Sequence, residues 1–144
     1  MSRSHLTAIV RKQPSLPITL LKGKGLIKPK VLDYGCGRGF DAKHLKCDKY
    51  DPYYAPDEPR AKYQTILCTY VLNVVRKEEE SKILKAIQKL LLPQGRAYIT
   101  VRRDIKADYE TKNGIQRVVV LPLPTVWTEH RKYSVYAMGR DDKV

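Results

Sequence analysis

The sequence predicts an α/β fold built on a mainly parallel sheet. Three observations carry this. Strand-like and helix-like segments alternate along the chain, the order that places helices on the faces of a parallel sheet. Gly35, Gly37 and Gly39 follow at once on a short apolar run and precede a helical stretch. In such folds ligands bind there, at the carboxyl ends of the strands. The chain has 144 residues, 42% hydrophobic and 30% charged, which is globular composition of one-domain size.

The elements follow in order. Residues 1–30 form a basic lead-in, and residues 31–144 the ligand-binding domain. Within the lead-in, Pro14 and Pro17 precede a short helix over residues 18–27 that Gly23 or Gly25 closes. Residues 31–34 read as a buried strand, 40–46 as one or two helical turns, and 47–51 as a second strand. Pro52, Pro56 and Pro59 keep regular structure out of most of residues 52–60. Residues 64–72 are rich in β-branched and aromatic side chains and form a strand. Residues 77–92 make the strongest helix, because Ile83, Leu84, Ile87, Leu90 and Leu91 share one face. Glu78, Glu79 and Glu80 fall in its first turn, where the helix dipole favours acids. Pro93, Gln94 and Gly95 stop it, and residues 96–102 form the next strand. The tail reads as a loop or short helix over 103–112, a turn at Asn113-Gly114, and strands at 115–121 and 133–138.

Charge narrows the partners. Lys and Arg number 28 against 15 Asp and Glu, a net charge of +13. The lead-in holds seven of the bases (Arg3, Arg11, Lys12, Lys22, Lys24, Lys28, Lys30) and no acid. That balance points to a polyanion, with nucleic acid ahead of a membrane surface. Cys36, Cys47 and Cys68 are odd in number and contain no C-x-x-C, so neither a disulfide framework nor a zinc site follows. No apolar signal core follows Met1 and no run reaches the ~20 residues of a membrane span. The expectation is a soluble cytoplasmic protein without metal.

The informative stretch is VLDYGCGRG at residues 31–39. Its glycines allow a sharp turn and close approach of a ligand to the backbone. A nicotinamide dinucleotide fingerprint fails, since Phe40 stands where a third Gly or Ala belongs, and a P-loop fails for want of Gly-Lys-Ser/Thr. Asp33, two residues before the first glycine, would repel a pyrophosphate and suits a cationic ligand.

VLDYGCGRG resembles the first motif of class I methyltransferases nearly letter for letter. The resemblance implies a Rossmann-like sheet whose last strand, here 133–138, is antiparallel. It also implies S-adenosyl-L-methionine, which carries an ammonium and a sulfonium but no phosphate. Asp33, Tyr34, Gly35, Cys36, Gly37 and Gly39 are then cofactor-binding. Asp51, at the end of the second strand, is placed to accept from the ribose hydroxyls, with Asp48 in reserve. Ordinary members carry another helix and strand over the adenine. Here the stretch between Asp51 and Tyr63 is too short, so the sheet is shortened by its third strand. Pro52 and Tyr53 then border the adenine, with Tyr53 or Tyr54 stacking on it.

Residues 64–72 end beside the methionine part of the cofactor, so Tyr70 and Asn73 are the candidates for the methyl-transfer site. HLTAIVRKQPSLP, VLDYGCGRGFDAKHL, YDPYYAP and YVLNVV, over residues 5–75, further resemble the methyltransferases linked to DNA phosphorothioation systems. The Asp/Asn-Pro-Pro-Tyr/Phe motif of amino-methylating enzymes is absent after this strand, and no Cys follows a Pro as in cytosine-C5 enzymes. The expected activity is S-adenosylmethionine-dependent methylation of an N or O atom of nucleic acid. Arg11, Lys12, Arg102, Arg103 and His130 are the substrate-binding candidates. A small molecule, a protein side chain, or a non-catalytic cofactor-binding role are the alternatives. A single domain of this size shows no obvious target-recognition domain, so the expectation is action on single strands or termini, or reliance on a partner chain.

Overall fold

The computed structural model describes residues 4–7, 12–127 and 132–144. A six-stranded sheet forms the centre, from β1 (Val31–Tyr34), β2 (Asp48–Tyr50), β3 (Tyr63–Thr69), β4 (Leu91–Arg102), β7 (Thr125–Trp127) and β8 (Tyr133–Met138), in the order β2-β1-β3-β4-β8-β7. β1 pairs in parallel with β2 and β3, and β3 with β4. β8 runs antiparallel to β4, and β7 antiparallel to β8. The expected shortened sheet with an antiparallel C-terminal strand is borne out. Among the described residues no strand lies outside β2.

Period-two alternation sends neighbouring strand residues to opposite faces. On one face Leu67, Tyr98, Tyr133 and Val135 pack with Ile18 and Leu21 of α1 (Leu16–Gly23). So part of the basic lead-in belongs to the core. On the other face Ile66, Cys68, Ala97, Ile99 and Met138 pack with Leu84 and Ile87 of α3 (Lys77–Lys89). The short α2 (Phe40–Leu45) follows β1, and its buried Asp41 accepts from both N and Oγ of Ser15 at 2.9 Å, which ties the start of α1 to the start of α2.

Three expectations are corrected. α3 ends at Lys89 and not at residue 92, because Leu90 O accepts from Tyr63 N at 2.8 Å and Leu91 already pairs with Tyr63. Pro93, Gln94 and Gly95 bulge out within β4, where the register jumps from Tyr63↔Leu91 to Thr65↔Arg96. The predicted strand at 115–121 is a strand only at its start: β5 (Tyr109–Thr111) and β6 (Gly114–Gln116) make a separate hairpin around the Asn113 turn. Beyond it Arg117, Val119 and Leu121 are buried while Val118 and Val120 are exposed, an extended run outside any sheet. The second tail strand beside β8 is instead β7. No helix among the described residues is long and apolar enough to cross a membrane.

Candidate functional site

The glycine loop sits at the carboxyl end of β1 and is knitted to the end of β2. Gly35 N and Cys36 N both donate to Tyr50 O, at 2.7 and 2.9 Å, and Gly37 N donates to Asp51 Oδ2 at 2.9 Å. Gly35 has φ +82°, and a Cβ there would overlap Val71 Cγ2. Glycine is therefore required twice, by backbone conformation and by contact. Asp33 is buried just before the loop. Tyr34 turns its ring towards Tyr50 (centroids 4.9 Å apart) and the α3-side core, and burial together with Tyr50 raises its hydroxyl pKa. The Cys36 thiol is pushed up to about 12 by burial and by the negative charges of Asp33 and Asp51. It stays protonated and a poor nucleophile.

Asp51 organises the turn after β2. Its Oδ1 accepts from Tyr53 N and Tyr54 N at 2.9 and 3.0 Å, and its backbone exchanges bonds with Ala55. A carboxylate offers about four acceptor positions. Described residues fill three of them, so Oδ2 keeps room for one outside donor. Asp48 is placed differently. It begins β2, away from the carboxyl ends of the strands, and accepts from the Tyr63 hydroxyl at 2.6 Å with Lys30 3.7 Å away. It is not a reserve for Asp51. Pro52 is exposed, and Tyr53 is exposed with its ring stacked on His5 at 4.0 Å. Tyr54 meets the edge of Tyr53 and lies under the Arg38 guanidinium at 5.4 Å.

The third wall is the 70–75 turn after β3. Tyr70 has φ +61° and donates its N–H to Thr100 O at 2.9 Å. For a bulky side chain that conformation is strained and marks the turn as a constrained place. Val71 is the residue packed on Gly35. Asn73 does not face the cleft. It is fully buried, its Nδ2 donates to Arg117 O at 2.9 Å and its Oδ1 accepts from Arg102 N at 2.8 Å. Its expected catalytic role is corrected to that of a structural clamp, because every polar atom of the amide is engaged inside the protein.

The partners of that clamp escaped the sequence reading. Arg117 is buried and donates Nε to Val75 O at 2.6 Å, and Nη2 to Leu72 O at 3.2 Å and to Glu80 Oε1 at 2.8 Å. Glu80 also accepts from Lys77 at 2.8 Å. Burial pushes the Glu80 carboxyl up, but the hydrogen bonds and charges of Arg117 and Lys77 outweigh it and hold the group below the ordinary carboxylate range. A signal existed: Glu80 lies four positions before Leu84 and seven before Ile87, on the apolar stripe of α3.

The profile of the methyltransferase-domain family matches residues 8–130. The chain belongs to this family. Solved structures share the fold. Burkholderia thailandensis 1,6-didemethyltoxoflavin-N1-methyltransferase, bound to 1,6-didemethyltoxoflavin and S-adenosylhomocysteine, has a TM-score of 0.66 at 19% identity, over 85% of this chain and 76% of that one. Magnesium protoporphyrin IX methyltransferase from Synechocystis PCC 6803, with S-adenosylhomocysteine, has a TM-score of 0.52 at 14% identity, over 94% and 81%. Coclaurine N-methyltransferase, bound to N-methylheliamine and S-adenosylhomocysteine, has 0.51 at 14% identity, over 76% and 49%. Among curated proteins none matches the sequence.

The residues expected to bind the substrate are less concentrated than the glycine loop and Asp51. Arg102 and Arg103 stand at the carboxyl end of β4, as expected. Arg102 forms a two-pronged pair with Asp104 at 2.9 and 3.0 Å, so its charge is compensated locally. Arg103 is exposed and donates its N–H to Lys132 O at 2.8 Å. Lys12 is exposed ahead of α1. Arg11 and His130 lie outside the described residues. The β5–β6 hairpin stands over the 70–75 turn, bound by Arg76 to Glu110 at 3.0 Å and next to the 3-10 turn Ser4–Thr7.

Proposed function

We propose that this chain is an S-adenosylmethionine-dependent methyltransferase acting on an N or O atom of nucleic acid. The observation that carries the cofactor is the acid-flanked glycine loop closed by Val71. Asp33 and Asp51 stand at its two sides, no dinucleotide or triphosphate pattern is present, and Asp51 keeps one acceptor position for a hydroxyl. The cofactor supplies an electrophilic methyl group on a sulfonium. The chain's own task is placement. Gly35, Cys36 and Gly37 form the bed, Asp51 takes the ribose, Pro52 and Tyr53 border the adenine, and Tyr70 borders the reacting end. Alignment of this kind can supply much of the acceleration without a dedicated base.

An excess ligand at 100 times its Kd contributes ~2.7 kcal/mol to stability, or roughly 5–10 °C of melting temperature for a chain of this size. S-Adenosylhomocysteine is expected to give that shift and NADH none. Asp51→Ala is expected to weaken S-adenosylhomocysteine binding by ~1–3 kcal/mol. A melt raised by NADH and not by S-adenosylhomocysteine overturns the cofactor assignment.

The net charge of +13 and the acid-free lead-in support the nucleic-acid acceptor. The resemblance over residues 5–75 to methyltransferases linked to DNA phosphorothioation points the same way. Phosphate contacts give a logarithmic salt slope of ~0.7–0.9 per phosphate neutralised. Fluorescence anisotropy with single- and double-stranded oligonucleotides should show such a slope, flattened by about 1–2 units in Arg11→Ala/Lys12→Ala. A second reading is a small nitrogen-containing acceptor. It is favoured by the pairing of Arg102 with Asp104, which removes one cleft-edge charge from phosphate binding. That reading predicts at most weak oligonucleotide binding that the substitutions barely alter, and no measurable binding even at low salt puts it first.

A further inference from the structure

The 70–75 turn is held from a distant part of the chain. Three of its carbonyls accept from Arg117, which lies 42 to 45 positions on: Leu72 O from Nη2, Asn73 O from the backbone N–H at 2.7 Å, and Val75 O from Nε. Asn73 returns a bond to Arg117 O and fastens the same turn to Arg102 at the end of β4. Glu80 Oε1 accepts from the same Nη2 that reaches Leu72 O and so holds the guanidinium in place. At its near end the turn carries Tyr70 at φ +61° and Val71 against Gly35.

We infer that Arg117 is a positioning residue for the cofactor site. By gripping the turn it sets where Tyr70 and Val71 stand against the glycine loop. A tyrosine in the left-handed region persists only where its surroundings over-determine it, and the grip on Leu72, Asn73 and Val75 does so. Stability alone does not call for this arrangement, because apolar residues of similar volume often replace a buried ion pair without loss. What an apolar pair cannot do is reach backbone carbonyls. A lysine can reach a carbonyl, but its point charge lacks the planar fork that holds Leu72 O and Val75 O together with Glu80. The consequence for the cofactor rests on the reading proposed above.

Two variants test the inference: Glu80→Met/Arg117→Met, which removes both charges, and Arg117→Lys, which keeps the pair without the fork. Each is followed by melting, by hydrogen exchange of the 70–75 amides, and by calorimetric titration with S-adenosylhomocysteine. Tyr70 N–H and Val74 N–H, bonded to Thr100 O and Val71 O, report on the turn. Both variants are expected to fold, to exchange those amides at least ~tenfold faster, and to bind S-adenosylhomocysteine ~tenfold more weakly. Folded variants with wild-type exchange and wild-type affinity overturn the inference. If the wild type binds no S-adenosylhomocysteine, the cofactor reading falls instead. Exchange then decides the grip alone: fast exchange in the variants supports it and unchanged exchange refutes it.

Discussion

Gly35→Ala is expected to abolish most S-adenosylhomocysteine binding and to lower the melting temperature by roughly 5–15 °C. Two separate costs combine. An L-residue at φ +82° pays ~1–2 kcal/mol for the left-handed region. The new Cβ also overlaps Val71 Cγ2, and overpacking of this sort costs ~1–3 kcal/mol. The backbone has little room to yield, since Gly35 N and Cys36 N both hang on Tyr50 O. Val71→Ala separates the costs, because it removes the overlapping methyl and leaves φ untouched. Gly35→Ala/Val71→Ala should therefore recover part of the affinity and stop short of the wild type. Thermal melts and titrations on the two variants measure this. Wild-type affinity in Gly35→Ala would refute the close packing of the turn on the loop.

Arg117→Met alone should be as damaging, for a different reason. It leaves Glu80 buried with only Lys77 as an ion partner, and it strands Leu72 O and Val75 O. Breaking a buried pair from one side costs ~3–5 kcal/mol, and the Lys77 contact places this case near ~3 kcal/mol, or roughly 6–12 °C. The pH dependence follows from the sign of the Glu80 shift. In the wild type its carboxyl lies below the ordinary range, so its contribution is present above the unfolded value of ~4.3 and is lost as pH falls through the folded one. Without Arg117 the desolvation acts with less opposition and protonation becomes a relief. The stability gap between wild type and Arg117→Met should therefore narrow on acidification below about pH 5. Chemical denaturation at several pH values measures the gap, and a gap that widens towards acid would show that the pair does not carry the stability.

How far the fold is legible in one sequence depends on the range of the interactions that make each element. β1, the glycine loop and α2 follow one another directly along the chain, and the spacing of Asp33, Gly35, Gly37 and Gly39 announces them although their partners Tyr50, Val71 and Ser15 lie further off. Asp51 sits at the end of β2 because parallel pairing with β1 brings the two strand ends together. The apolar stripe of α3 and the β-rich runs of β3 and β8 encode burial directly. From these pieces the topology and the shortened edge follow, since only a few connections suit a parallel sheet.

What the sequence alone determined was therefore the α/β class, the glycine loop after β1, the acids beside it and the positive charge of the chain. Tertiary structure decided the rest. A strand exists only where a partner offers its backbone, so Thr125–Trp127 pairs with β8 while residues 117–121, three of them valine, join no sheet. α3 yields Leu90 and Leu91 to the sheet because Tyr63 claims them. Asn73 becomes a clamp, and Glu80 leaves the solvated first turn for the interior, because Arg117 arrives beside them from 44 and 37 positions away. No local pattern reports such a partner, since burying a charge is unfavourable until the folded chain supplies the opposite one.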